Sequence, residues 1–143
     1  MHLAQTKTPQ GILAIVKTKT EANFSKNRLL LLDSVQDPGN LGTIFHLPII
    51  EADLYGKIDQ LKENDVTICA STLEEAVPVQ TVQWPEKVAL IVGNEGAGVN
   101  PSLIENSDLL VRIPIYGKAE SLNVSIAAGI MMYQMQLNKL DFR

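Results

Sequence analysis

The chain has 143 residues, 45% of them hydrophobic, with a net charge of −4 and a sequence pI near 5.1. That length fits one domain, the charge excludes a globally basic nucleic-acid binder, and the single cysteine excludes an internal disulfide framework. His2 and His46 leave little for zinc, no apolar run approaches a membrane span, and the N-terminus lacks a signal-peptide pattern, so a cytoplasmic protein is expected.

Charge is uneven along the chain. Lys7, Lys17, Lys19, Lys26 and Arg28 face only Glu21 within residues 1–28. Such an edge could touch phosphates, or be a solvated lysine surface. Gln10–Val16 is nearly all apolar and predicts a first strand, with Pro9 at its boundary. Lys17–Asn27 is polar and loop-like. Arg28–Asp33 holds four consecutive leucines and predicts a second buried strand. Asp37-Pro38-Gly39-Asn40 is a strong turn signal. Gly42-Thr43-Ile44 begins as a helix would, but Phe45-His46-Leu47-Pro48-Ile49-Ile50 reads as extended, and Pro48 would stop a helix.

Asp53–Glu63 predicts a short helix with Leu54, Ile58 and Leu61 on one face. Val66–Ala70 predicts a strand with Cys69 buried in it. Ser71–Trp84 reads as irregular, with Pro78 and Pro85 as breakers. Val88–Val92 is wholly apolar and predicts a strand buried on both faces. Three glycines follow within six positions, in Gly93-Asn94-Glu95-Gly96-Ala97-Gly98. Pro101–Glu105 predicts a helical turn with proline at its first position. Leu109–Ile115 predicts a last strand. Ser121 is the expected N-cap of a helix carrying Val124, Ile126, Ala127, Ile130, Met131 and Met135. The alternation predicts an α/β fold, a mostly parallel sheet with helices on both faces. Glycine loops after two strands of such a sheet predict a small-molecule pocket, with Gly93 and Leu122 on the same side. The bland reading of Gly93, Gly96 and Gly98 is turn geometry without a ligand.

Three stretches in order resemble the three motifs of the SpoU/TrmH branch of the SPOUT RNA methyltransferases. They are Leu31-Leu32-Asp33-Ser34-Val35-Gln36-Asp37-Pro38-Gly39-Asn40-Leu41-Gly42-Thr43-Ile44, Ile91-Val92-Gly93-Asn94-Glu95-Gly96-Ala97-Gly98, and Ile113-Pro114-Ile115-Tyr116-Gly117-Lys118-Ala119-Glu120-Ser121-Leu122-Asn123-Val124-Ser125. The resemblance covers nearly the whole chain as one catalytic domain, 1–143, without the separate N-terminal RNA-binding domain of many members. It implies a C-terminal trefoil knot, which periodicity alone could not suggest. It also implies a helix starting near Asn40. S-adenosylmethionine is the implied cofactor, held around Val92, Gly93, Asn94, Gly96, Gly98, Ile113, Ile115, Ser121, Leu122 and Asn123. Asn40, Glu95, Ser121 and Asn123 are the implied catalytic set, with Asn40 and Glu95 orienting loops or substrate. No metal is implied.

The first motif departs from the family. There it continues into a helix bearing an arginine, and a phrase like Gly-x-Ile-Phe-x-Leu-Pro comes only later. Here Gly42-Thr43-Ile44 runs straight into Phe45-His46-Leu47-Pro48, and His46 stands in the arginine's place. The chain reads as lacking an internal segment between about Gly42 and Leu47. His46 could accept a proton, but local packing is the plainer reading.

The leading functional reading is transfer of a methyl group from S-adenosylmethionine to a ribose 2′-hydroxyl of tRNA or rRNA. Such a reaction requires donor and acceptor held close and aligned. The alternatives are a non-catalytic relative that binds cofactor or RNA, and an ordinary nucleotide-binding α/β domain. The C-terminal helix carries apolar residues on more than one face, which predicts a homodimer.

Overall fold

The computed structural model describes residues 27–44, 53–117 and 121–137. Its five strands are β1 (Arg28–Leu32), β2 (Thr67–Ser71), β3 (Val77–Pro78), β4 (Val88–Val92) and β5 (Leu109–Arg112). All pair in parallel, in the order β1-β4-β2-β5-β3. Four helices accompany them: α1 (Pro38–Ile44), α2 (Leu54–Lys62), α3 (Pro101–Glu105) and α4 (Val124–Leu137). The predicted strand Gln10–Val16, the extended segment at residues 45–50 and His46 lie outside the described residues.

β4 is buried at every position because β1 and β2 flank it and helices cover both faces. Alternate side chains enter opposite cores. Val88, Leu90 and Val92 join Cys69 and Val111 on one face. There α4 presents Val124, Ala128, Met131 and Met135, the helical spacing that brings one stripe onto a sheet. Ala89 and Ile91 join Ile68 and Ala70 on the other face, under Ile58 and Leu61 of α2 and Leu103 of α3. Each fully buried side chain of this size contributes about 1.5–3 kcal/mol. Burial also pushes the Cys69 thiol up to about 12, so it acts as a small apolar filler.

Several boundaries differ from the sequence reading. β1 is half-buried throughout, since it pairs with β4 on one side only among the described residues. Asp37-Pro38-Gly39-Asn40 is the start of α1 rather than a free turn. Asp37 Oδ1 accepts from the Asn40 backbone N–H at 2.8 Å, and Pro38 occupies the first helical position. α2 begins one residue later than expected, with Asp53 as its cap. Ser71–Trp84 is not wholly irregular, for it contains β3 and a 3₁₀ turn at Val79–Thr81. Pro78 is tolerated because β3 lies at a sheet edge. β5 stops at Arg112, so Ile113 and Pro114 leave the sheet.

Ser121 does not cap α4. Asn123 does: its Oδ1 accepts from the backbone N–H groups of Ser125 at 3.0 Å and Ile126 at 3.3 Å. Its carbonyl accepts from Ala127.

Candidate active site

The C-terminal ends of parallel strands lie on one side of the sheet, where ligands of such folds bind. Here a cavity of about 440 Å³ opens at the ends of β2, β4 and β5. Val92, Gly93, Asn94, Glu95, Gly96 and Gly98 line it from the loop after β4, Ile113 and Ile115 from the chain after β5, and Ser121 and Leu122 from the approach to α4. Gly93 and Leu122 therefore share one cavity. Its size suits a small-molecule ligand.

The glycine loop is shaped by its own geometry. A Cβ on Gly93 would run into the backbone of Gly98 and Val99, because the chain folds back and Asn94 bridges Gly98. Gly98 takes the left-handed conformation at φ 72°. Asn94 holds the turn: its Oδ1 accepts from Gly96 and Ala97 at 2.8 and 3.0 Å, and its Nδ2 donates to the Ser34 carbonyl at 3.0 Å. Asn94 lines the cavity with a side chain engaged in loop structure. The turn reading and the ligand reading of these glycines are thus compatible.

Asn40 and Asn123 stand behind the cavity rather than in its lining. Asn40 is 4% exposed, and its amide is used at both ends. Nδ2 donates to Glu95 Oε1 at 2.8 Å, while Oδ1 accepts from Asn123 Nδ2 at 2.7 Å and Ser125 Oγ at 3.2 Å. Asn123 is exposed and has two structural duties. Its oxygen caps α4 and its nitrogen donates to Asn40. Ser125 was missed by the sequence reading, although it closes the third motif.

Glu95 is the exposed end of this network. The hydrogen bond from Asn40 is the chief cause that holds its carboxyl below the usual range, with backbone N–H groups near Asp37 and Gln36 adding to it. Burial opposes them and is the second-largest influence, after the Asn40 hydrogen bond. Glu95 is therefore an anion throughout the neutral range.

A third wall escaped the sequence reading. Ser71, Thr72, Leu73 and Glu74, after β2, also line the cavity. The position of β2 between β4 and β5 brings them there. The signal was present in a small polar cluster at the end of an apolar strand. Arg112 lines the same side.

Comparison with known proteins agrees with this geometry. The model of the SpoU rRNA Methylase family matches residues 41–133. The 23S rRNA (guanosine(2553)-2′-O)-methyltransferase RlmP of Bacillus subtilis (strain 168) is 35% identical over 168 residues, covering 94% of this chain and 68% of RlmP. Those 168 aligned positions exceed the 143 residues of the chain, so part of RlmP has no counterpart here. The AdoMet-bound rRNA methyltransferase from Sinorhizobium meliloti superposes with a TM-score of 0.74 at 29% identity, over 80% of this chain and 57% of that one. The A. aeolicus TrmH/SpoU tRNA modifying enzyme gives 0.71 at 25% identity, over 80% and 76%. Motif order, parallel sheet and the loops around one cavity coincide with a family match over most of the chain, and the protein belongs to the SpoU rRNA methylase family.

Proposed function

We propose that the chain transfers a methyl group from S-adenosylmethionine to a ribose 2′-hydroxyl of tRNA or rRNA. The observation that carries this is the cavity at the ends of β2, β4 and β5, bounded by loops of the second and third motifs. The residues present fit the cofactor. The tight glycine turn of Gly93, Gly96 and Gly98 brings backbone amides and carbonyls to the cavity wall. Val92, Ile113, Ile115 and Leu122 offer apolar surface for an adenine ring. Ser121, free of any capping duty, lies at the same wall. S-adenosylmethionine supplies an electrophilic methyl on a positively charged sulfur.

The chain's own groups hold and align. Glu95 is a weak base because its carboxyl is held low, so it suits orienting a hydroxyl better than removing its proton. Asn40 fixes the Glu95 carboxylate, and Asn123 and Ser125 fix Asn40. The catalytic set is thus Glu95 and Ser121 at the cavity, with Asn40, Asn123 and Ser125 as positioning residues. The bond between Asn40 and Asn123, 83 residues apart, is the sort of contact a C-terminal knot would fix.

We further propose a homodimer and a cytoplasmic location. Ile126, Ile130 and Tyr133 are 55%, 37% and 60% exposed at i, i+4 and i+7 on the outer face of α4, a stripe that a second copy would cover. Among the described residues no helix is long and apolar enough to cross a membrane.

Calorimetric titration with S-adenosylmethionine, followed by methyl incorporation into bulk tRNA and rRNA from cells lacking this gene, tests the function. A chain that binds no S-adenosylmethionine overturns it. A second reading, a non-catalytic relative, is favoured by His46 in the arginine's place and by the part of RlmP without counterpart here. Cofactor binding without methyl incorporation would select it.

A further inference from the structure

Between β2 and β3 the chain crosses the edge of the cavity as an arch, Thr72–Ala76. The arch buries little, since Leu73, Glu74 and Glu75 are exposed. Apolar packing therefore cannot set its position, and hydrogen bonds must. The Thr72 N–H donates to the Val111 carbonyl at 3.1 Å, and Val77 pairs with Val111 in the register of β3 with β5. These two ties fix the ends. The third comes from Arg112, whose Nε–H donates to the Ala76 carbonyl at 3.1 Å. Among the described residues it is the one side-chain hydrogen bond to the arch. Glu75 sits at φ 50°, a conformation a glutamate does not choose for itself, so the bend is imposed by its surroundings.

Thr72, Leu73 and Glu74 form one wall of the cavity, and among the described residues Arg112 is the only cation lining it. The guanidinium thus stands where it can hold the wall and face the cavity at once. We propose that Arg112 is a positioning residue for S-adenosylmethionine. By holding the Ala76 carbonyl it keeps the Thr72–Glu74 wall at the distance the cofactor requires. The inference rests on the methyltransferase reading.

The test uses the full chain and S-adenosylmethionine itself. In R112A, the calorimetric Kd and the KM for S-adenosylmethionine rise about tenfold, while kcat falls by less than about threefold. R112K, which keeps one long donor, recovers most of the affinity. Should R112A fail to fold, A76G leaves the guanidinium in place and loosens the arch, and its Kd rises about threefold. A tenfold loss that R112K does not recover overturns the proposal, as does a loss in kcat with KM unmoved. Equal Kd in the parent and the variants overturns it as well. A parent chain that binds no S-adenosylmethionine overturns the functional reading and this inference with it. A parent that binds alongside unaffected variants overturns this inference alone.

Discussion

Asn40 donates its side-chain N–H to Glu95 across 55 residues of sequence, at 2.8 Å, and so ties the first motif to the second. The polarity of that amide is fixed. Glu95 accepts only, and Asn123 Nδ2 on the other side donates only, so a flipped amide would oppose like groups at both ends.

The first prediction follows from this polarity. N40D sets a carboxylate against Glu95 and leaves it facing Asn123 Nδ2. Like charges raise the folded pKa of one partner above its unfolded value. The penalty is then full above the raised pKa and is relieved as pH falls through it. N40D should therefore gain on the parent as pH is lowered from 7 to 4. N40A, which leaves part-buried groups without partners, should lose about 1–3 kcal/mol with no such recovery. Urea unfolding across that range reads both.

In the parent the sign is opposite. Glu95 titrates below its ordinary 4.5, so its contribution is complete above that value and fades as pH falls through the lower folded one. The stability difference between the parent and E95Q should shrink below about pH 4 and stay level from pH 6 to 8. A difference that grows on acidification would contradict the assigned hydrogen bond.

The cap assignment separates Ser121 from Asn123. N123A removes the cap of α4 and should cost about 1–2 kcal/mol in unfolding experiments. S121A should leave stability within about 0.5 kcal/mol and weaken S-adenosylmethionine binding instead. Equal destabilisation by the two would restore Ser121 as the cap.

Two glycines predict opposite outcomes. G93A drives a methyl into the Gly98 backbone and should cost about 1–3 kcal/mol and abolish cofactor binding. G42A, exposed in α1 with nothing within 4 Å of its added carbon, should stabilise by about 0.5–1 kcal/mol. Thermal unfolding and calorimetry of both variants check this.

For the α4 stripe, I130E combined with Y133E should yield a monomer at micromolar concentration in sedimentation. The parent should sediment as a dimer. A monomeric parent ends the proposal.

Much of this architecture was legible in the sequence, and the failures have physical causes. β4 was plain because a strand buried on both faces must be apolar at every position. α2 was plain because Leu54, Ile58 and Leu61 form one stripe, although Asp53 was read as helical and is its cap. Asp37-Pro38-Gly39-Asn40 read locally as a turn because turns and helix starts favour the same residues, and the helix near Asn40 was expected only from the family resemblance. Ser121 and Asn123 are both good caps two positions apart, and the choice fell to a distant partner, Asn40. The arch after β2 became a cavity wall only through the strand order, a relation no local window contains. Two-residue β3, with a proline in it, gave no period to read.

The strand order has a consequence for how the molecule assembles. No pair of neighbours in the sheet is joined by a tight hairpin, and β1 must wait for β4, whose partner residues lie 60 positions on, as Arg28 does for Val88. The earliest stage of folding therefore has few local rewards, and loop closure must precede most of the stabilising contacts. The glycine loop, the arch and the Asn40 network come together only after the sheet has closed. A half-folded chain then holds every residue of the site and none of its shape, so cofactor affinity should rise in step with native structure during refolding.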